Sequence, residues 1–389
     1  MRNVTGISGM IQTEARARAI VRLELTHFRS WRHRLLNAEP GLVALVGPNG
    51  AGKTNILEAL SLLTPGRGLR GASYATMIET GCDSFTIAAR LQTEEETIPL
   101  GTGYQLAISR KKGEGSAGER RKIRIDQETA SAEELGQWLN ILWLTPDMDT
   151  MFAGGASRRR RFFDRLVLAL YPSHNGHVQR FESLMRERSK ILSEEQSDPL
   201  WLNAVESRMA EHAVAITASR LESCARLQAC IAQMDSEIFP ASQLTVVGLL
   251  EEKLAAGKAI EVEDDYRTIL KDNRVQDRLL RRCQVGPHRS DWRVIHQRKK
   301  QAADLCSTGE QKTLLIGIIL AQTRLIGQMT GRSPILILDE VAAHLDFEHR
   351  KGLISQIEAL AVQCWMSGSD AGPFAGLSDV LQRIDIAPH

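Results

Sequence analysis

No apolar run in this sequence approaches the roughly 18 residues that a membrane-spanning helix requires. The longest, Leu314-Leu-Ile-Gly-Ile-Ile-Leu320, suits a core helix. The six cysteines (Cys82, Cys224, Cys230, Cys283, Cys306 and Cys364) never stand in C-x-x-C spacing. That argues against a zinc site and reads as reduced, mostly buried thiols of a cytoplasmic protein. A large excess of one charge is missing too. The net charge is +2, too small by itself to establish a nucleic-acid partner, so the clustering of charge matters more. Residues 1–18 lack the apolar core of an export signal and read as a short extension. What is present is a chain of 389 residues, 43% hydrophobic and 25% charged. That suits one large or two moderate globular domains.

The rest is organised around Gly47-Pro48-Asn49-Gly50-Ala51-Gly52-Lys53-Thr54, a G-x-x-x-x-G-K-T phosphate-binding loop. The apolar run before it, 41–46, reads as a buried strand, and 55–63 after it has helical spacing. The glycines let backbone approach a phosphate, and a helix N-terminus offers it unpaired N–H groups. Lys53 is expected to reach the β- and γ-phosphates of ATP, and the Thr54 hydroxyl to ligate Mg²⁺. A loop of this kind needs a carboxylate for the metal. It stands far downstream, where four apolar residues, 335–338, read as a second buried strand ending in Asp339 and Glu340. Asp339 suits the Mg²⁺ shell, and Glu340 suits a base or orienter for the attacking water. The two ends of the chain therefore close one site around a large insertion.

In chain order, 19–28 alternates as an edge-type strand. The loop 64–71 is Gly-rich and carries Arg67 and Arg70, which face nucleotide or DNA phosphates unless the loop is a plain solvated turn. Segments 85–91, 104–109 and 122–126 read as antiparallel strands, with Lys111, Lys112 and the basic residues 120–122 in the turns. Residues 142–149 read as a strand stopped at Pro146. Arg158, Arg159, Arg160 and Arg161 follow one another directly. From 180 to 238 proline and glycine almost vanish, and the apolar spacing predicts a pair of long antiparallel helices. A third helix, near 264–282, ends in arginines that suit either a helix C-terminus or DNA. His288 lies in a Gly-Pro turn, where a structural role competes with contact to nucleotide or DNA. The stretch Ser307-Thr308-Gly309-Glu310-Gln311 opens an apolar helix over 313–326, and alone it is no more than a capped helix start.

The order of these motifs resembles the ATP-binding-cassette ATPases. The resemblance implies an α/β fold, an ABC-type P-loop ATPase head with an inserted, mainly helical lobe. It implies that Ser307, Gly309 and Gln311 meet a nucleotide held by a second subunit, and that ATP joins two heads. His344-Leu345-Asp346 stands as the D-loop, with Asp346 near the nucleotide. Ser367, at the end of the strand 363–367, takes the γ-phosphate sensor position beside Lys53 and Glu340 as catalytic residues.

A closer resemblance is to the RecF family of recombination mediators, over about residues 20–386. It rests on Leu25-Thr-His-Phe-Arg-Ser-Trp31, the phosphate loop, Thr64-Pro-Gly-Arg-Gly-Leu-Arg70, Trp143-Leu-Thr-Pro-Asp147, Val285-Gly-Pro-His-Arg289, Ser307-Thr-Gly-Glu-Gln-Lys312 and Leu338-Asp-Glu340. Residues 342–344 are less acidic than that pattern, and 1–18 extend beyond it. The implied division is 1–18 extension, 19–150 first part of the head, 151–284 helical lobe and 285–389 second part of the head. The implied protein is a cytoplasmic, weak ATPase that uses ATP and Mg²⁺. It dimerises on ATP at single-strand/double-strand junctions of gapped DNA and works with RecR and RecO to help RecA load, with roles in replication and the SOS response. Arg67, Arg70, Lys111, Lys112, Arg158 and Arg159 are the candidate DNA contacts. A transporter subunit would need a membrane partner, a chromosome-organising ATPase a far longer coiled coil, and a nuclease a further carboxylate cluster.

Overall fold

The computed structural model describes residues 15–106, 121–194, 198–234, 238–341, 345–370, 372–374 and 381–387. Strand β1 (Ala19–Phe28) turns at Arg29 into β2 (Trp31–Asn37), and β3 (Leu42–Val46) runs through the phosphate loop into α1 (Lys53–Ser61). Strands β4 (Ser84–Gln92), β5 (Thr97–Gln105), β6 (Lys122–Ile125) and β7 (Glu128–Thr129) follow. Helix α2 (Ala132–Trp138), whose Ser131 and Glu134 make a capping box, leads to β8 (Ile141–Leu144). Three helices come next, α3 (Ala156–Leu170), α4 (His174–Ser193) and α5 (Pro199–Ala232). Then β9 (Ser242–Val247) precedes α6 (Leu249–Ala256), α7 (Ala259–Asp272) and α8 (Arg274–Leu280). The chain closes with β10 (Asp291–His296), β11 (Gln301–Ala302), α9 (Thr308–Thr330), β12 (Ile335–Leu338), α10 (Phe347–Ala359), β13 (Cys364–Gly368) and β14 (Gln382–Asp385).

The central sheet is parallel, in the order β14-β3-β13-β12-β8. Strands β3, β12 and β8 read as unbroken apolar runs, and β13 is buried along its whole length, because both faces are covered. Side chains alternate across a strand, so each run serves two cores. Leu42, Ala44 and Val46 of β3 point into one core with Leu336, Leu338, Cys364 and Met366, against helices α3, α5 and α9. Val43 and Leu45 point into the other with Ile335, Ile337 and Trp365, against α1 and an antiparallel sheet. That sheet has the order β2-β1-β4-β5-β6-β7. Strand β1 is paired on both sides, by β2 and β4, so the edge-type reading of 19–28 is corrected. Its alternation comes from having one face on the core, not from an edge position. Strand β5 lies earlier than the expected 104–109, of which 107–109 fall, like Lys111 and Lys112, outside the described residues.

Helix α9 is long and apolar enough to cross a membrane by length and composition, but 67% of that stretch is buried inside the protein. Leu314 to Ile326 supply it to the first core, which makes it a core helix. The expected helix pair is α4 and α5. The third predicted helix is two, α7 and α8, joined at Asn273, whose side chain bonds back to the Ile269 carbonyl (2.8 Å). A separate core, including Phe181, Leu202, Met209, Tyr266 and Leu270, holds the lobe together. The segment 151–284 feeds more than this lobe. Phe162 and Phe163 of α3 stack on Trp292 of β10, at 5.7 and 5.0 Å between ring centres, and β9 pairs with β10.

Candidate nucleotide site

Parallel strands deliver their carboxyl ends to one edge of the sheet, which is where α/β folds place ligands. At that edge β3 gives way to residues 47–52. A Cβ on Gly47 would stand 2.2 Å from the Ile386 carbonyl oxygen. One on Gly52, whose φ is +91°, would stand 2.9 Å from the Trp31 ring. Only glycine fits at either position. Gly52 is the N-cap of α1 and offers no side chain, so the first-turn N–H groups stay open to an anion. Lys53 is buried, and its ammonium donates to the carbonyls of Gly47 (2.6 Å) and Pro48 (2.9 Å). The charge is held inside the loop, where a phosphate would compete with those carbonyls for it.

The carboxylate side meets this loop through three hydrogen bonds. Thr54 Oγ1 donates to Asp339 Oδ1 at 3.2 Å, and Ser367 Oγ donates to the same oxygen at 2.7 Å. Ser367 Oγ accepts from the Glu340 backbone N–H at 2.9 Å. The contact is a product of topology, since β13 lies between β3 and β12. Burial raises the Asp339 pKa above its ordinary value; bonds from Ser367 and Thr54 pull it down, and neighbouring Glu340 pushes it up again. A buried carboxylate beside a hydroxyl, with charge still to be balanced, fits a hard divalent cation. Thr54 and Asp339 would hold it. Glu340 has φ 54°, a left-handed conformation that costs roughly 1–2 kcal/mol for an L-residue. Such strain survives where the surroundings over-determine it, here between the buried Asp339 and the Ser367 hydroxyl that holds the Glu340 N–H.

The serine motif is elsewhere. Ser307 caps α9, accepting from the Glu310 N–H (3.4 Å), while its own N–H donates to Glu310 Oε2 (3.0 Å). Lys299 pairs with Glu310 and, with the Ser307 N–H, holds that carboxyl down at about 2. Ser307 and Gly309 are exposed, and the space a Cβ would enter at Gly309 is open. Gln311 is turned inward: its amide donates to the Cys306 carbonyl at 2.9 Å, so the expected nucleotide contact is not presented by this side chain. Asp346 is exposed and caps α10, accepting from the His349 N–H at 2.9 Å. His344 lies outside the described residues.

The arginine run does not form one basic patch, because successive helical residues point about 100° apart. Arg158 bonds the Asp147 carbonyl and Thr150. Arg159 makes a two-pronged pair with Asp291 at 2.8 Å, and Arg160 donates to the Ser290 carbonyl at 2.7 Å. Only Arg161 of the four is exposed. Arg159 is thus a tie between α3 and β10, which corrects its expected DNA role. Arg70 reaches the fully buried Glu58 of α1 at 2.9 Å, opposite Arg29 at 2.7 Å. Arg70, Arg158 and Arg161 line a cleft of about 620 Å³ together with Thr54 and Asp339. Arg67 is exposed and lines a second cleft, of about 550 Å³, with Arg70 and Arg161, which line both. His288 keeps to structure, its Nε2 3.0 Å from the Cys283 carbonyl. Two contributors went unread in the sequence. Trp31 underlies Gly52, with its Nε1 donating to the Gly52 carbonyl (3.4 Å), and Glu58 clamps two arginines to α1. The signal for Glu58 was a lone charge among Ile56, Leu57, Ala59 and Leu60.

A phosphate loop, a strand-end carboxylate pair, a serine bonded to that pair from the neighbouring strand and an exposed capped-helix serine motif, on a parallel sheet flanked by an antiparallel one, define an ABC-type ATPase head of the RecF/SMC kind. Residues 19–372 match the family profile RecF/RecN/SMC N terminal domain. The DNA replication and repair protein RecF of Mesorhizobium japonicum is 45% identical over 370 residues, 94% of this chain and 96% of its own. RecF of Brucella abortus is 41% identical over 372 residues, covering 95% of this chain and 94% of its own. The chain belongs to the RecF family of DNA replication and repair proteins. The solved structure of the recombination mediator protein RecF with ATPrS in the RecFOR pathway superposes with a TM-score of 0.82 at 19% identity, covering 95% of this chain and 97% of its own. An Smc head domain from Pyrococcus furiosus superposes at 0.50 and 12% identity, over 95% of this chain and 94% of its own. Both likenesses are of fold.

Proposed function

We propose that this chain is an ATP-operated clamp on DNA. The bonded set Thr54–Asp339–Ser367 beside Lys53 holds Mg·ATP in one head, and the exposed Ser307 and Gly309 of a second head close over it. The observation that carries this reading is the pairing of the glycine loop and its bonded Thr54–Asp339–Ser367 set with a serine motif that faces outward from the same chain. Bound Mg·ATP supplies an electrophilic phosphorus and the cation that neutralises its oxygens. Lys53 and the open N–H groups of α1 hold phosphate oxygens, Thr54 and Asp339 fix the metal, and Ser367 orients Asp339. Glu340 accepts the proton of the attacking water, and Asp346 lies near the joint between heads. Hydrolysis is weak and acts as the release step. The dimer binds DNA with little sequence preference, through phosphates, at single-strand/double-strand junctions of gaps. It works in the cytoplasm with RecR and RecO to help RecA load, in replication and the SOS response. Arg67 and Arg161 are the DNA-facing residues.

Sedimentation with ATP, with and without gapped DNA, tests the clamp. Glu340→Gln should bind ATP without cleaving it and accumulate as a dimer. Ser307→Arg should bind ATP as well as the wild type yet stay monomeric. A Glu340→Gln chain that remains monomeric at saturating ATP, or a Ser307→Arg monomer that cannot bind ATP, overturns the reading.

A further inference from the structure

A second set of ligating side chains is assembled away from the nucleotide site. His27 lies near the end of β1, and Glu79 and Cys82 on the turn after residues 74–77. His27 Nδ1 stands 2.7 Å from Glu79 Oε2 and 3.3 Å from Cys82 Sγ, and that sulfur is 3.6 Å from the same carboxylate oxygen. All three are partly buried, and their ligand atoms all lie within 4.8 Å of one another. The backbone holds them there. The Glu79 N–H donates to the His27 carbonyl (2.9 Å), the Cys82 N–H to the Glu79 carbonyl (3.1 Å) and the Arg29 N–H to the Met77 carbonyl (2.7 Å). His27 also has φ 52°, a left-handed conformation kept in place by those bonds.

We propose that His27, Glu79 and Cys82 bind one zinc-class divalent cation through an imidazole nitrogen, a carboxylate oxygen and a thiolate, with the fourth position open to water or an external ligand. Tetrahedral zinc bond lengths place such atoms about 3.3 Å (N to O), 3.6 Å (N to S) and 3.5 Å (O to S) apart. The triangle present is short by about 0.6 Å on its nitrogen–oxygen edge, where a hydrogen bond draws the two together, and by about 0.3 Å on its nitrogen–sulfur edge. Side-chain rotations that withdraw the Glu79 oxygen by about 0.6 Å and the His27 ring nitrogen from the sulfur by about 0.3 Å make the fit. Thiolate and imidazole select a borderline-soft metal over Mg²⁺ or Ca²⁺. Thiolate and carboxylate balance the two positive charges, and of the nearer charges Arg32 opposes binding while Asp83 favours it. Burial and Glu79 push the Cys82 thiol up, so loading releases its proton to solvent. C-x-x-C spacing is not needed, since Glu79-x-x-Cys82 puts a carboxylate where a second thiol would stand. The other five cysteines are buried. The ion would brace the stretch that carries Arg29, the partner of Glu58 on α1, and Trp31, which underlies Gly52.

The test titrates the full chain, stripped by a chelator, with Co²⁺ and then Zn²⁺. The expected result is one Co²⁺ per chain with a thiolate-to-cobalt charge-transfer band that Zn²⁺ displaces. Cys82→Ser should remove the band. Glu79→Gln and His27→Asn, the latter because asparagine tolerates left-handed backbone, should weaken Zn²⁺ binding by about tenfold or more while ATP binding is kept. Zn²⁺ should also protect wild-type Cys82 from alkylation, read by peptide mass, which needs no variant to fold. Absence of the band, a band that survives Cys82→Ser, or alkylation of Cys82 that Zn²⁺ does not slow overturns the site.

Discussion

Asp339 carries a stability cost that a bound cation would offset. Burial raises its pKa, so the fold favours the neutral form. Its contribution to stability is full at acid pH, below the unfolded carboxylate value, and is lost as pH rises through the raised folded value. Asp339→Asn removes that penalty. We expect the nucleotide-free variant to melt higher than wild type above neutral pH, by roughly 0.5–2 kcal/mol, and to lose the increment that Mg²⁺ adds in the presence of ATP. Calorimetry across pH with and without Mg²⁺ decides; a variant that keeps the Mg²⁺ increment would clear Asp339 of the metal. Ser367 acts on both neighbours of this carboxylate. Ser367→Ala strands the Glu340 N–H and leaves Asp339 Oδ1 with Thr54 as its one donor, at a cost of about 1–3 kcal/mol in urea unfolding. An unchanged unfolding midpoint would mean that water or relaxation replaces the hydroxyl.

At the scale of elements, the lobe is fastened by charge as much as by apolar packing. Arg188 of α4 is 1% exposed, with Nε 2.8 Å from Glu206 of α5, Nη1 2.6 Å from Asp277 of α8 and Nη2 2.6 Å from the Leu270 carbonyl of α7. One guanidinium thus joins four helices. Arg274 adds a second cation to Glu206. Arg188→Met keeps the volume but leaves Asp277 buried with its charge unbalanced. A loss of about 3–5 kcal/mol is expected, seen in the lobe first by hydrogen exchange. Loss spread evenly over head and lobe would show that the two unfold together and the network is not local. None of this was legible beforehand, because the partners are scattered along the chain. What was legible at this scale were patterns within one element: the alternation of β4, the unbroken runs of β3 and β12, and the Ser307/Glu310 capping box of α9. Strand β5 and the break between α7 and α8 were missed because Gly101, Gly103 and Pro99 weaken a strand signal and an asparagine hinge looks like any polar helix residue.

Over the whole molecule, α5 ties the two lobes. Its 34 residues span about 51 Å. Leu202 to Ile216 lie in the lobe core, and Cys224 to Ile231 in the head core. A tilt of this one helix would therefore shift side chains of both cores together. If two heads close on ATP, Arg67 and Arg161 of each add to a shared face for DNA. Each phosphate neutralised contributes roughly −0.9 to the slope of log affinity against log salt. Replacing both arginines by Ala should weaken all sequences alike and flatten that slope by about 1–2 units, whereas Arg159→Ala should lower stability with no change in slope. Fluorescence anisotropy across a salt series measures both. A slope that responds to Arg159 and not to Arg67 and Arg161 would reverse the assignment.

Local chemistry settled what the sequence alone determined. A glycine loop between strand and helix, a Lys-Thr pair, an apolar strand closed by two acids and a capped serine motif each need only neighbours in sequence, so each was readable at its own place. Parallel strands made both faces apolar, and the run length told of it. Only tertiary structure decided which of these meet. It put Ser367 between Thr54 and Glu340 because β13 inserts between β3 and β12, and it faced Ser307 outward. It turned Gln311 inward and sent four consecutive arginines in four directions because a helix rotates each residue. It also brought His27 to Glu79 and Cys82, a juxtaposition set by strand pairing and a turn, which no spacing rule along the chain encodes.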